Sequence, residues 1–232
     1  ETLSRKQKEV VMLLTPKKGS TKAEEEKKTE AEKELEGEEI SAEQLAAALG
    51  LEQEEEMRVV GLYGDIDERK SRETLSGLLV LHHSGKSGEE GSEVWEPMDM
   101  IISTYGGSAD DMFALYDVMR LIQKDCEIHT FGLGKVMSAG VLLLAAGTKG
   151  KRKIGANCRV MIHSVIGGNH GSIHNLENEM EEIRNSQDTY MEALVKETSL
   201  TKRTLKKLLE RKVNIYLSAS EAVEYGIADI IV

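Results

Sequence analysis

One serine in the chain follows a strand-like segment and opens an apolar run. Ser138 stands in the string Gly134-Lys-Val-Met-Ser-Ala-Gly140, and the apolar residues 139–146 come directly after it. At a helix N-terminus, free backbone N–H groups and the positive end of the helix dipole stabilise a developing alkoxide, so a serine there can act as a nucleophile. Serine is also a common residue for capping a helix. From this stretch alone, Ser138 is either a nucleophile or an N-cap.

A histidine and a pair of glycines close two other strand-like segments. His163 ends the segment Arg159-Val-Met-Ile-His163. Functional groups gather at the carboxyl ends of the strands in parallel α/β sheets, so His163 is the candidate general base. Thr104-Tyr-Gly-Gly107 ends a buried strand and opens a helix. Two glycines let the backbone approach a ligand and present an N–H group, which predicts half of an oxyanion hole or an ordinary tight turn.

The other histidines and the two cysteines indicate no metal site. His82 and His83 border a glycine-rich loop, His129 lies inside a strand-like segment, and no histidine pair has ligand spacing with a third donor. Cys126 and Cys158 lack Cys-x-x-Cys spacing, so we interpret them as buried thiols in a reducing compartment. We therefore expect neither a metal nor a cofactor.

Charge and hydropathy exclude two classes of partner. The formal net charge is -11, and residues 16–56 alone hold fourteen Glu against six Lys. The sequence has no basic stripe for nucleic acid or for an anionic membrane surface. No apolar run approaches the roughly 18 residues of a membrane helix, and residues 1–56, which are rich in Glu from Glu24 onward, do not have the pattern of a secretory signal. These features predict a cytoplasmic protein with no nucleic acid and no membrane as partner.

Composition divides the chain into an extension and one domain. Residues 1–56 form an acidic low-complexity extension, expected to be disordered or a solvated helix because 17–39 has few apolar anchors. Residues 57–232 alternate strand and helix patterns, which predicts repeated βαβ units and a mostly parallel sheet. Strands are expected at 58–63, 98–103, 126–132 and 159–163. Helices are expected at 72–82, 109–123, 138–146, 171–197, 201–211 and 218–226.

Three strings in this order resemble one protein family. Residues 134–152 read Gly-x-x-x-Ser-x-Gly-x-x-Leu-Leu-x-Ala-Gly-x-Lys-Gly-Lys-Arg, 157–163 read Asn-Cys-Arg-Val-Met-Ile-His, and 217–226 read Leu-Ser-Ala-Ser-Glu-Ala-Val-Glu-Tyr-Gly. Together they resemble the proteolytic subunit of the Clp protease, over a region from Val59 to the end of the chain. The resemblance implies an α/β fold of ClpP/crotonase-like repeated βαβ units, with a protruding handle helix that starts near Gly171.

The resemblance also implies roles in a serine endopeptidase. Ser138 attacks the peptide carbonyl and His163 takes and returns its proton. The backbone N–H groups of Gly107 and Ala139 hold the oxyanion. Binding of an extended substrate by strand addition is implied for three residues, namely Gly106, Ala109 and Ile166.

The same resemblance implies an assembly. Unfolded polypeptides would be cut inside a chamber formed by stacked heptameric rings of one subunit, and the handle helix would join the two rings. An AAA+ unfoldase would deliver the substrates. The activity would therefore be of the ATP-dependent type.

One departure from the family affects the catalytic residues. Asn214 stands where the family has an aspartate, two residues before the aromatic Tyr216. An asparagine can accept a hydrogen bond from the imidazole N–H, but it cannot stabilise an imidazolium with a full charge. We therefore expect Asn214 to be a third catalytic residue that supports reduced activity. The alternative is a structural subunit of a mixed ring that is weakly active or inactive.

A second departure affects partners. The stretch Met98-Asp-Met-Ile-Ile102 has none of the aromatic residues that line the family's ATPase-docking pocket, and Tyr105 replaces a proline. An ATPase-independent role, such as that of a phage-encoded maturation protease, is therefore a further alternative.

Two other enzyme classes share parts of the pattern. A crotonase-like acyl-CoA enzyme has similar oxyanion loops but needs no Ser–His pair. A signal-peptide peptidase would pair the serine with a lysine, here Lys135 or Lys151, and would need a membrane anchor. The co-occurrence of Ser138 and His163 favours the Clp-type peptidase over both.

Overall fold

The computed structural model describes residues 57–89, 91–209 and 214–232. The predicted extension, 1–56, and the predicted end of a helix at Arg211 lie outside the described residues. The strands are β1 (Val59–Ile66), β2 (Lys86–Ser87), β3 (Val94–Trp95), β4 (Met98–Gly107), β5 (Ile128–Met137), β6 (Lys153–Ile154), β7 (Arg159–Ile162), β8 (Ile215–Leu217) and β9 (Ile230–Ile231). The helices are α1 (Glu68–Ser84), α2 (Ala109–Ile122), α3 (Ala139–Ala145), α4 (Ile173–Glu197), α5 (Lys202–Leu209) and α6 (Ala219–Glu224).

A mostly parallel sheet forms the centre of the fold. The order of its strands is β1-β4-β5-β6-β9, and β7 pairs with both β5 and β8 in the same seven-stranded sheet. Each of these pairs is parallel except β7–β8, which is antiparallel. Strand β5 pairs with two different strands along the same edge. Phe131 in its first half lies beside Lys153 of β6, and Lys135 in its second half lies beside Arg159 of β7. The predicted α/β class with βαβ units is confirmed.

The short helix α3 lies at the centre of the core. Each of its seven residues is buried, and it contacts β4, β5 and α2. Burying one aliphatic side chain contributes about 1.5–3 kcal/mol, so the run Val141–Leu144 anchors the helix firmly. The N-terminal end of α3, where Ser138 lies, is therefore fixed by packing.

Two strands are longer than the pattern predicts. The glycines of 132–134 and 106–107 are typical strand breakers, yet β5 continues to Met137 and β4 to Gly107. The extensions form because Val136 pairs with Thr104 on one side and with Val160 on the other. The strands β6, β8 and β9 and the hairpin β2–β3 contain only two or three residues each, which is too short for a periodic pattern.

The first half of helix α4 is exposed and its second half packs against the core. The side chain of Ser172 accepts a hydrogen bond from Asn175 N and caps its start. Near that end the apolar residues Ile173 and Met180 are 73% and 49% exposed, whereas Tyr190 and Leu194 further along are buried. Among the described residues, no helix combines the length and the apolar character needed to cross a membrane.

Candidate active site

The structure brings Ser138 and His163 into hydrogen-bond contact. Ser138 follows the last residue of β5 and His163 follows the last residue of β7, and these strands are parallel neighbours with Met137 beside Met161. Their carboxyl ends therefore meet at one edge of the sheet. The distance from His163 Nε2 to Ser138 Oγ is 2.7 Å. This is the reach that a general base needs to take the proton of a hydroxyl nucleophile.

Ser138 has a strained backbone. Its φ is 54° and its ψ is -123°, and it is the one non-glycine residue with positive φ in the described part of the chain. Such a conformation costs on the order of 1–3 kcal/mol and concentrates at functional sites. Within the described residues, the Ser138 side chain makes no capping hydrogen bond to α3. The geometry favours a serine on a sharp strand-to-helix turn, with its hydroxyl presented outward, over a simple N-cap.

Backbone contacts hold Ser138 in this conformation. Its N–H donates to Met161 O at 2.8 Å. Its carbonyl oxygen accepts one hydrogen bond from Val141 N at 3.0 Å and a second from the hydroxyl of Tyr190, also at 3.0 Å. Strand β7, helix α3 and helix α4 therefore all fix the same residue.

Gly106 lies directly behind Ser138. A Cβ atom built on Gly106 would lie 2.6 Å from Ser138 Cβ, and the φ of the glycine is +101°. Only glycine fits both the contact and the backbone conformation. Gly106 is buried and is not among the residues that line the adjacent cavity. Its predicted role in substrate binding stays a prediction, and the structure adds that it supports the serine.

A buried threonine shapes the glycine loop. Thr104 Oγ1 donates to Gly64 O at 2.5 Å and accepts from Gly106 N at 2.9 Å. Sequence reasoning missed this residue. The available signal was a hydroxyl that follows the apolar strand residues and precedes the two glycines, where loop N–H groups need an acceptor.

A cavity of about 330 Å³ opens in front of the Ser–His pair. Six of the predicted site residues line it, namely Gly107, Ala109, Ser138, Ala139, His163 and Ile166. The remaining lining residues are Tyr105, Ser108, Met112, Val165 and Tyr190. None of these eleven residues, all in the described part of the chain, is an acid, a lysine or an arginine. The cavity therefore suits an uncharged, largely apolar group.

The electrostatics of the site favour a neutral histidine. Burial lowers the pKa of His163 below its ordinary value of 6.5, because desolvation disfavours the charged imidazolium. At neutral pH the ring therefore has a free lone pair with which it can accept the hydroxyl proton. Within the described ranges, no three acidic, histidine or cysteine side chains are grouped to hold a metal ion.

Asn214 lies next to His163 in the strand register. In the antiparallel pair β7–β8, Ile162 lies opposite Ile215, so Asn214 and His163 are next in register. The Asn214 side chain is exposed, and among the described residues no hydrogen bond joins it to His163. Its predicted role as third catalytic residue stays a prediction.

Lys135 contacts an aromatic ring. Its Nζ lies 4.5 Å from the centroid of the Tyr105 ring, a cation–π contact. Lys151, the other lysine considered for a Ser–Lys dyad, is exposed. The base in contact with Ser138 is a histidine.

Helix α4 contributes two polar side chains that sequence reasoning did not assign to the site. The Tyr190 hydroxyl donates to Ser138 O, and Gln187 Oε1 accepts from Val165 N at 2.7 Å. The two residues lie three apart and so share one face of the helix. The sequence signal for them was weak, because Tyr190 also fits the apolar spacing of the helix.

Comparison with known proteins places these residues in a family. The family model described as Clp protease matches residues 43–232. The "ATP-dependent Clp protease proteolytic subunit 2" of Corynebacterium jeikeium (strain K411) is 34% identical over 175 residues, which are 75% of this chain and 78% of the relative. The "ATP-dependent Clp protease proteolytic subunit 1" of Bifidobacterium longum (strain NCC 2705) is 34% identical over 75% of this chain and 70% of the relative.

A third relative gives the same result. The "ATP-dependent Clp protease proteolytic subunit 1" of Corynebacterium diphtheriae is 33% identical over 75% of this chain and 78% of its own length. The range that the family model matches includes Ser138 and His163. Because the family model spans most of the chain and the relatives share a third of their residues with it over three quarters of its length, the chain belongs to the Clp protease family.

Proposed function

We propose that this chain is a serine endopeptidase subunit in which Ser138 is the nucleophile and His163 the general base. The observation that carries the proposal is the 2.7 Å contact between His163 Nε2 and Ser138 Oγ at the edge of an uncharged cavity. Membership of the Clp protease family gives the coarser assignment, a serine-type peptidase.

The chemistry follows from the positions of these groups. Ser138 Oγ attacks the carbonyl carbon of a peptide bond while His163 Nε2 accepts the hydroxyl proton. The negative oxygen that forms is held by backbone N–H groups, for which we propose Gly107 and Ala139. The imidazolium of His163 then gives its proton to the leaving amine, and the C–N bond breaks to leave an acyl ester on Ser138. Water, deprotonated by His163, attacks the ester carbon; the bond from that carbon to Ser138 Oγ breaks, His163 returns the proton to Ser138 Oγ, and the carboxylic acid product is released.

The N-terminal end of α3 supports the proposed oxyanion site. Ala139 is the first residue of α3, so its N–H has no partner inside the helix. The positive end of the helix dipole adds to the stabilisation of an anion there. Gly107 lies at the end of the neighbouring strand β4 and lines the same cavity.

The proposed substrates are unfolded polypeptides. Ala109 on α2 and Ile166 on the segment after β7 both line the cavity, and we propose that an extended substrate backbone binds along them, beside the strand that carries Gly106. The uncharged lining, with Met112 and Tyr190, supports a preference for an apolar side chain next to the cut bond. A charged side chain would lose its hydration there without gaining a partner.

The exposed half of α4 supports a ring assembly. Ile173, Leu176 and Met180 recur at helical spacing and are exposed, and with Glu177 and Arg184 they line a groove of about 350 Å³. Such an apolar strip in a single chain is typical of a surface that another subunit covers. We propose stacked heptameric rings joined through α4, with the cytoplasm as location. The relatives are named as subunits of ATP-dependent proteases, so an AAA+ unfoldase is the proposed partner.

A second candidate function is favoured by one observation. Asn214 is exposed and has no described contact with His163. A subunit whose histidine has no charged partner could complete a mixed ring while contributing little catalysis. It predicts co-purification with a second, related subunit and no covalent labelling of Ser138.

A labelling experiment separates the two functions. The native protein, Ser138→Ala and Asn214→Asp are treated with a fluorophosphonate probe, and the adduct is located by intact mass and peptide mapping. The enzyme proposal expects an adduct on Ser138 that is absent from Ser138→Ala and forms faster in Asn214→Asp. Assembled native rings that remain unlabelled from pH 6 to 9 would instead support the structural subunit.

A further inference from the structure

The peptide group between Ser138 and Ala139 has two functional ends. A trans peptide is planar, so its carbonyl and its N–H point in opposite directions and move together. At the N–H end, Ala139 N is a proposed oxyanion donor. At the other end, Ser138 O accepts hydrogen bonds from Val141 N and from the Tyr190 hydroxyl. Whatever fixes the carbonyl therefore also fixes the direction of the N–H.

The two donors to Ser138 O differ in origin. The contact from Val141 N is local, within the first turn of α3. Tyr190 lies 52 residues further along the chain, on the packed half of α4. The hydrogen bond from the Tyr190 hydroxyl therefore holds the Ser138–Ala139 peptide group from outside the first turn of α3. It fixes the orientation of the Ser138 carbonyl, which the contact within the turn alone does not determine.

Burial fixes the Tyr190 hydroxyl as a hydrogen-bond donor to Ser138 O. The residue is 5% exposed, and burial raises the pKa of its phenol above the ordinary value of 10.0, so the hydroxyl keeps its proton. Three residues earlier on the same helix, Gln187 Oε1 accepts from Val165 N at 2.7 Å. Because Val165 lies two residues after His163, this second contact ties the same face of α4 to the histidine side of the site.

We propose that Tyr190 is a positioning residue that orients and polarises the Ser138–Ala139 peptide for oxyanion binding. The inference rests on the proposed peptidase function. A donor at the carbonyl draws electron density toward its oxygen, and hydrogen bonds in such a chain strengthen one another, so the opposite N–H becomes a better donor. A fixed N–H also needs no reorientation when the oxyanion forms.

The test compares two hydroxyl deletions that are matched in chemistry. Tyr190→Phe removes the hydroxyl and keeps the ring that lines the cavity. Tyr116→Phe removes a hydroxyl from another buried tyrosine, which donates to Glu197 Oε1 at 2.8 Å and lines no part of the cavity. Tyr190→Met also lacks the hydroxyl but packs differently, so agreement between the two Tyr190 variants identifies the hydroxyl as the cause. Melting temperature and native mass verify the folding and assembly of each variant.

Four readouts are measured on a fluorogenic peptide in the assembled protein: kcat, KM, the pH profile and inhibition by a peptide boronate, whose tetrahedral adduct occupies the oxyanion position. Removing a direct oxyanion donor costs about 10²–10³ in kcat, so removing its support is expected to cost roughly tenfold. For both Tyr190 variants we expect that loss in kcat, a KM within about twofold of native, and boronate binding weakened by the same factor as kcat/KM. The acidic limb of the pH profile should not move, because His163 is unchanged.

Two results would overturn the inference. A Tyr190→Phe protein with native kcat and native boronate inhibition would remove the proposed role. A loss in Tyr190→Phe that Tyr116→Phe reproduces, or that appears only as a higher KM, would indicate a general packing effect. Failure of the proposed function is separate, since it is seen in the native protein: absence of a phosphonate adduct on native Ser138 overturns both, whereas normal native labelling with an unaffected Tyr190→Phe overturns the tyrosine inference alone.

Discussion

Gly106 packs directly against Ser138, since a Cβ atom on the glycine would lie 2.6 Å from the Cβ of the serine and 3.1 Å from its Oγ. The glycine of the loop and the proposed nucleophile are therefore one packed unit. The loop cannot accept a side chain at this position without displacing the hydroxyl that His163 contacts.

We predict that Gly106→Ala abolishes labelling of Ser138. The methyl group would collide with the serine, and the φ of +101° would be strained for alanine. The control is Gly150→Ala, because Gly150 also has positive φ, +82°, but has open space around its Cβ position. The control should lose about 1–2 kcal/mol of stability from strain and keep the native labelling rate. Equal labelling rates in the two variants would contradict the steric argument.

Thr104→Val should destabilise the protein and slow labelling. Valine keeps the shape of threonine but leaves the buried Gly64 carbonyl and Gly106 N–H without the hydroxyl. Each unpaired group costs about 1–3 kcal/mol, which a urea titration would detect. Thr104→Ser keeps the hydroxyl and serves as the control, with faster labelling than the valine variant. The reverse order would show that the methyl group, which faces Gly140, matters more than the hydrogen bonds.

The pH profile should reflect the burial of His163. Catalysis requires the neutral imidazole, and because burial lowers the pKa of His163, the acidic limb of kcat/KM should lie below pH 6.5. A group whose folded pKa is depressed contributes stability above the unfolded pKa, so this contribution is lost as pH falls from 6.5 through the folded pKa.

Asn214→Asp should move the acidic limb of the kcat/KM profile to higher pH and raise kcat. A carboxylate next in register to His163 would stabilise the imidazolium and so raise its pKa. Because a charged third residue is worth up to about 10⁴ in kcat in other serine proteases, we expect a gain of at least ~10-fold. Asn214→Ala is the control and should leave the limb in place. Identical profiles for the aspartate and alanine variants would mean that position 214 does not act on His163.

The proximity of Ser138 and His163 could be predicted from the sequence, because both residues follow buried parallel strands. Strands of this kind end at the same edge of a sheet, which is sufficient to predict proximity. The strained φ of Ser138 could not be predicted from the sequence. It depends on contacts with Met161, Tyr190 and Gly106, and these residues lie far from Ser138 along the chain.

The polar contacts of α4 could not be predicted from the hydrophobic pattern of the sequence. A tyrosine in an apolar helical stripe usually packs its ring in the core, and Tyr190 does so. The direction of its hydroxyl depends on where α3 begins, 52 residues away, which the pattern does not encode. The exposure of Asn214 is a similar case, because register fixes its backbone position and leaves its side chain undetermined.

Charge at the exposed end of α4 should separate the proposed rings. Ile173→Asp with Met180→Asp would place two carboxylates on an apolar strip that, in the proposal, a second ring buries. Native mass spectrometry should show half the native mass. The control is Glu179→Gln, an exposed polar change on the same helix. If the double variant keeps the native mass, α4 is not the surface that joins the rings.

The last prediction concerns a buried charge at the other end of α4. Glu197 is 2% exposed; its Oε1 accepts from the Tyr116 hydroxyl at 2.8 Å and from Arg120 Nη1 at 3.2 Å, and its Oε2 lies 3.2 Å from Lys149 Nζ. Glu197→Gln keeps the shape but leaves Arg120 and Lys149 without their counter-charge, and because these two side chains are 28% and 54% exposed, we expect a loss of about 1–3 kcal/mol.

The matched control is Glu192→Gln, also on α4. Glu192 pairs with Lys202 at 3.1 Å on the surface, where both side chains are exposed, and such a pair is worth about 0–1 kcal/mol. Urea unfolding should therefore separate the two variants by about 1–2 kcal/mol at equal change of charge. The rate of Ser138 labelling, measured where both variants are folded, should be native, because neither glutamate lines the cavity. A stable Glu197→Gln protein would mean that the buried cluster does not fasten α4 to the core.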